Sequence, residues 1–416
     1  MVASRGGYIG FNSGSNGSVL VDGGSRWFTL GNTSVISVAF NGTGDLTVSN
    51  GGQIFGSFGY IAERSGNSVG TAIVTGAGSY WQNSESLYVG EKGRGALTIS
   101  QGGRVQAKNF GGIGRQSGSV GTVTVDGADS LWDNFGQFFV AEAGRGTLDV
   151  TSGGQVNVTK DSRIAVFSGS VGTASVSGEN STWTTGGNLF VGSGGQGTLT
   201  IADQAEVSVK GGSGLTFVGW LGGSTGVLNI GAEAGSPAEA AGTLKTGEVR
   251  MNTASSKLVF NHTGTDYVFA PRITERGSVE VYSGTTTLTG NNTYTGTTSV
   301  NGGTLLVNGS TVTGTVKVNA GGTLGGTGTI GGSTNINAGG TLSAGTSPGT
   351  LTIAGNLILD AESTSEFELG QPDTADSDKN DLVVVEGNAE IGGTLNLSDG
   401  AGGIAVSGFY TLFEVA

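Results

Sequence analysis

The chain repeats itself, and the repeat limits its folds more than any other feature. GTVTVDGADSLWDN from Gly121 has counterparts from Gly17 (GSVLVDGGSRWFTL), Gly70 (GTAIVTGAGSYWQN) and Gly172 (GTASVSGENSTWTT), the last three of the four starting 51 residues apart. Trp27, Trp81, Trp132 and Trp183 follow the same rhythm. A second series starts at Gly44, Gly95, Gly146 and Gly197, each 51 residues from the last. The series interleave, with Gly146 falling midway between Gly121 and Gly172. The structural unit is therefore about 25 residues long, within the range of solenoid repeats. The longer period is a pair of such units.

Each unit holds three short runs of alternating polarity. In 146–171 these are TLDV, QVNVT and RIAVF, separated by Gly/Ser turns. Alternation over four to six residues marks a strand with one buried face. Such a unit cannot bury its inward residues alone, but stacking on the next one buries them and pairs the backbones. The sequence thus predicts an all-β protein, a right-handed parallel β-helix (solenoid) of about 25 residues and three short strands per coil. Some 16 coils at ~4.8 Å would make a rod of roughly 80 Å. A propeller is the rival, but four antiparallel strands per blade would not give two similar halves. One column follows the stack: Ile9, Ile61, Val89, Ile113, Val140, Ile164, Val191 and Val218, each followed by Gly or Ala, is expected to point inward. The position before it (Tyr8, Tyr60, Tyr88, Gly112, Phe139, Arg163, Phe190, Phe217) is expected to face outward, because Arg163 and Gly112 are poor core residues.

Composition narrows the chemistry. There are 83 Gly in 416 residues, but no three-residue period and only 4 Pro, so collagen is excluded. Zero Cys removes disulfides, thiolate nucleophiles and thiolate metal sites, and a single His, His262, cannot supply a two-His site. No metal or cofactor is expected. A net charge of −13 makes nucleic acid and anionic membranes poor partners. No apolar run approaches the ~20 residues of a membrane helix, and MVASRGGYIG is not followed by the apolar stretch of a signal peptide.

Four stretches are expected: paired long repeats over 1–231; a loop or boundary at 232–242, AEAGSPAEAAG; slimmer Thr/Gly-rich coils over 243–345; and a last β-helical segment, 346–416. Residues 360–399 hold eleven acids and one base, Lys379.

The wording of the later segments resembles a known family. FNHTGTDYVFAPRITERGSVEVYSGTTTLTGNNTYTGTTSVNGGTLLVNG (260–309) resembles the passenger-associated repeat of bacterial autotransporters, the type V secretion family with its AIDA-like adhesins. SPGTLTIAGNLILDAESTSEFELG with NDLVVVEGNAEIGGTLNLSD (347–399) is similar to the segment such proteins carry before their translocator barrel. The resemblance implies a β-helical passenger, exported to the surface of a Gram-negative cell and attached to its outer membrane, with adhesion the commonest role. Its implied partners are a host or bacterial surface glycan or protein, itself by self-association, and its own C-terminal barrel. Signal peptide and barrel are not in this sequence, which is read as a passenger fragment.

Candidate sites come in competing pairs. Tyr60, Tyr88, Phe139 and Phe190 could present a flat apolar strip for sugars or protein, or stack on one another as cross-strand pairs. Glu63, Glu91 and Glu142 share one turn position, which suits paired-carboxylate glycosidase chemistry; alternatively they form a solvated charge ladder bridged by Arg115. Asp373, Asp376, Asp378 and Asp381 offer oxygens for calcium but fit no EF-hand spacing, so a surface loop is expected. His262 is expected to be a structural hydrogen-bond partner, and the alternation leaves the face of the Trp residues open. The combined expectation is a non-enzymatic stalk and adhesin. A polysaccharide lyase or glycosidase of β-helix type and a ligand-free spacer are the alternatives.

Overall fold

The computed structural model describes residues 2–4, 6–345, 348–373, 379–400, 404 and 407–416. The backbone divides into two units, Met1–Leu228 with Gly242–Gly247 and Asn229–Ala241 with Glu248–Ala416. Each is a parallel β-solenoid. The only helical element among the described residues is a single 3₁₀ turn, Lys210–Gly212.

In the first unit the coils run through a long strand, a short strand and a third strand of three or four residues, as in Val120–Asp126, Leu131–Asn134 and Phe138–Val140. Like strands stack in parallel and build three sheets, called first, second and third here in that order. Registration follows the sequence repeat: Gly70, Gly95, Gly121, Gly146, Gly172 and Gly197 are successive partners in the first sheet. Coil length therefore alternates, being one longer from Gly95 to Gly121 than from Gly70 to Gly95. The source is two turns. Four residues, 90–93, join third to first sheet after a Trp-bearing coil and six, 114–119, after the next, a gain of two that the first-to-second turn reduces by one, four residues at 76–79 against three at 101–103.

The core is made by alternation. Leu97, Ile99, Val123, Val125, Leu148 and Val150 of the first sheet are fully buried, and so is the β-branched column of the third sheet from Ile61 to Val218. That column also passes through Val38, between Ile9 and Ile61. The residue after it turns the chain in the left-handed region, which explains its restriction to small side chains. At Gly114, φ is 63° and a Cβ would lie 2.1 Å from the Arg145 carbonyl oxygen. Ala141 holds the same conformation, at φ 63°; a left-handed Ala costs about 1–2 kcal/mol.

Three of the repeated tryptophans face inward, while Trp220 lies outside against Phe190 and Phe217. Trp81, Trp132 and Trp183 are buried and alternate along the second sheet with Val105, Val156 and Val207. Room comes from small residues nearby: a Cβ on Gly59 would stand 3.0 Å from Trp81 Cζ2. Phe138 of the third sheet packs edge-on against Trp132 at 5.0 Å and Trp183 at 6.0 Å. The large-small alternation makes the packing period two coils.

In the second unit the coils between 285 and 341 are shorter, and they lengthen again beyond, where Thr341 pairs with Thr364 and Thr364 with Thr394. Thr285, Thr304, Thr323 and Thr341 are successive partners, and neighbouring coils are offset by 18 or 19 residues. Buried Leu305, Leu324 and Leu342 stand on three successive coils of this stretch, between Thr286 and Ser365. At the turn that follows Val300, Val318 and Ile336, Asn319 Nδ2 donates to Asn301 Oδ1 and Asn337 Nδ2 to Asn319 Oδ1, both at 2.7 Å.

Candidate functional site

The third sheet of the first unit holds the aromatic column. Tyr60, Tyr88, Gly112, Phe139, Arg163, Phe190 and Phe217 are successive partners, pointing away from the core as the alternation requires. They do not make an open strip. Tyr60 stacks on Tyr88 with centroids 5.8 Å apart, and Phe190 on Phe217 at 4.8 Å. Tyr88 leans across Gly112, where a Cβ would meet its Cδ1 at 2.7 Å. Two arginines close the outside: the Arg115 guanidinium lies 4.1 Å from the Tyr88 centroid and that of Arg163 lies 4.0 Å from Phe190. Tyr88 is only 7% exposed and Phe190 5%, while Tyr60 and Phe139 are half-buried. Tyr60 with Tyr88 and Phe190 with Phe217 stack across strands, and cation–π contact adds to it, whereas Phe139, between Gly112 and Arg163 in the column, stacks on Phe110 at 6.2 Å.

The carboxylates belong to the same assembly. Arg115 Nη1 donates to both Glu91 oxygens at 3.1 Å, and its Nε lies 3.6 Å from Glu142. Gln116 Nε2 adds a bond to Glu91 at 2.9 Å. The bridging role expected of Arg115 is thus present, but the solvated setting is not: Glu63 and Glu91 are buried. The turn after the third sheet folds its polar heads back over the ring ladder, and a single-sequence pattern carries no sign of that. Burial pushes the Glu142 carboxyl up against the opposing pull of Arg115, and it also pushes Glu63 up.

The remaining candidates are held by local structure. His262 is buried, with Nε2 2.8 Å from Thr286 Oγ1 and its ring 5.0 Å from that of Tyr267; burial holds its pKa below the usual 6.5. Asp381 is buried rather than on a surface loop. It accepts from the Gly349 amide at 2.9 Å and the Glu368 amide at 2.7 Å, and burial raises its pKa. Asp373 accepts from the Phe409 amide at 3.0 Å, whereas Asp376 and Asp378 lie outside the described residues. Among the described residues no group of three His, Asp or Glu is placed to hold a metal ion.

Comparison with known proteins adds a family. Residues 282–307 match the passenger-associated-transport-repeat. Over 97% of its length the chain is 36% identical to part of the adhesin BmaC autotransporter of Brucella suis biovar 1 (strain 1330), and it spans 10% of that protein. Over 42% of its length it is 35% identical to the uncharacterized lipoprotein YdeK of Escherichia coli (strain K12), spanning 14% of it. The chain therefore covers only a small part of these curated relatives. Among solved structures, the TibC-catalyzed hyper-glycosylated TibA fragment covers 95% of this chain and 97% of its own, at 16% identity and a TM-score of 0.34, too loose a superposition to argue from. The parallel solenoid, the repeat at 282–307 and the alignment along nearly the whole chain identify this as passenger sequence of the autotransporter type.

Proposed function

We propose that the chain is a surface-displayed stalk that also adheres, exported to the outside of a Gram-negative cell and held there by a translocator barrel. The observation that carries this reading is the alignment over 97% of the chain with an autotransporter adhesin. The fold supports it physically. Each coil bonds only to its neighbours, so coils can add one at a time to a chain emerging from a pore, with no long-range closure. No disulfide has to form on the way, since the chain has no Cys.

The test is display. The 416 residues are fused between a signal peptide and a translocator barrel and expressed in a non-adherent Gram-negative host. Surface exposure is read by antibody on intact cells, and attachment is counted on epithelial cells and on a second layer of the same bacteria. Exposure with raised attachment is expected. Exposure with attachment no higher than in the barrel-only strain would leave a spacer and contradict the adhesin reading.

A further inference from the structure

The outer face of the second sheet in the first unit differs from the closed ring ladder of the third. A groove of about 660 Å³ crosses it, lined among others by Gln53, Tyr80, Arg104, Gln106, Asp129 and Asp133. Its walls come from the alternating turn length. The four-residue turns at 76–79 and 127–130 flank the three-residue turn at 101–103, and residues of all three line the groove.

The array breaks its own repeat here. The position before each Trp is Arg26, Tyr80, Leu131 and Thr182, so only this coil carries an aromatic ring there. The half-buried Tyr80 ring is braced edge-on by Phe55 at 5.9 Å, and its hydroxyl lies 3.0 Å from Gln106 Oε1 as donor. Gln82 Nε2 donates to the same oxygen at 3.1 Å, which fixes the amide and turns its NH₂ away from both. Around this fixed ring stand unengaged planar groups. The side chains of Gln53, Arg104 and Asp129 make no hydrogen bond or ion pair among the described residues. Asp133 has one oxygen bonded to Asn157, at 3.2 Å, and the other open.

We propose that this groove binds a neutral glycan. Amide, guanidinium and carboxylate groups offer paired donors and acceptors that match vicinal hydroxyls, and a braced tyrosine gives an apolar face for the C–H side of a pyranose ring. The volume lies in the range of small-ligand sites. Successive coils are ~4.8 Å apart, close to the rise of one sugar in an extended oligosaccharide, so neighbouring coils can meet neighbouring rings. Two carboxylates against one guanidinium disfavour sulfated or uronate-rich chains. The proposal deepens the adhesin reading by naming a ligand class and a place, and it rests on that reading only for its biological use.

The test uses the 416-residue chain with maltotriose, N-acetylchitotriose, mannotriose and lactose as neutral probes and a heparin oligosaccharide as the anionic one, followed by calorimetry and saturation-transfer NMR. At least one neutral probe is expected to bind, about tenfold or more weaker to Tyr80→Ala and to Arg104→Ala, and unchanged to Arg163→Ala. Arg104 is exposed and unengaged, so Arg104→Ala is expected to keep the melting temperature and separates lost contact from lost fold. No neutral probe binding, binding indifferent to both substitutions, or preference for heparin would each overturn the proposal. The two readings fail separately. Displayed chains that adhere although no neutral probe binds in solution would sink the groove and keep the adhesin. Solution binding without adherence would do the reverse.

Discussion

The two units solve one packing problem with different cross-sections. In the first, coils of about 25 residues enclose a core wide enough for Trp81, Trp132 and Trp183. Trp and Val alternate along the second sheet, so each Trp is separated from the next by a coil carrying Val105 or Val156, and the sequence period doubles. In the second, the coils between 285 and 341 have 18 or 19 residues, hold Leu305, Leu324 and Leu342 in line and close a turn with an asparagine ladder, so the period there is a single coil. The two-coil repeat goes with a large-small alternation in the core, and the one-coil repeat with its absence.

The comparison can be broken at several points. Trp132→Ala is expected to cost about 3–5 kcal/mol, the range for a large buried aromatic. The loss should spread over two coils, because Phe138 leans on both Trp132 and Trp183. Leu324→Ala in the slim unit should disturb only adjacent coils. Hydrogen exchange resolved by residue would show either pattern, and equal spread in both units would remove the two-coil packing period.

Arg115→Ala should cost about 2 kcal/mol, below the full range for a broken buried pair because the arginine is partly exposed. It leaves Glu91 with Gln116 alone and uncovers Tyr88. Urea unfolding measures the first effect and tyrosine accessibility to iodination the second. Asn319→Ala removes two ladder hydrogen bonds at once and should cost about 1–2 kcal/mol; its effect should be confined to the second unit.

The smallest effect is in pH, and its sign differs between units. The folded His262 resists protonation, so its contribution is complete above the unfolded value of about 6.5 and declines as pH falls below it. Glu63 and Glu142 have raised values, so their contribution is lost as pH rises through those values and complete below about 4.5. Acidification from pH 7.5 to 5.5 should therefore lower the amide protection factors around 262–286, corrected for the intrinsic pH dependence of exchange, while leaving those around 61–91 unchanged or higher. The opposite ordering would contradict these burial assignments.

Much of this was legible in the chain. Glycine spacings alone give the first-sheet register, since Gly70, Gly95, Gly121 and Gly146 pair in that order. Alternation also places the Ile61-to-Val218 column inside. The surface was harder. The outward direction of Tyr88 and Phe190 follows from their parity, but their covering by Arg115 and Arg163 depends on how side chains lie across coils. Burial of Glu63, Glu91 and Asp381 ran against expectation, because a turn residue gives no parity from which to infer depth. The groove was missed although its clue was present: Tyr80 stands where the other repeats have Arg26, Leu131 and Thr182. The asparagine ladder was likewise visible as the recurring VNGG, VNAGG and INAGG around Asn301, Asn319 and Asn337.

Oxidative cross-linking of double-cysteine variants tests the stacked-coil account most directly, on a chain that has no cysteine of its own. Paired outward positions on adjacent coils stand within the ~4.4–6.8 Å that a disulfide spans between Cα atoms. Thr98→Cys with Thr124→Cys should close rapidly in the first unit, as should Thr304→Cys with Thr323→Cys in the second. Thr304→Cys with Thr329→Cys, one first-unit coil length apart, should stay reduced. Closure of that last pair, or failure of both others, would contradict it.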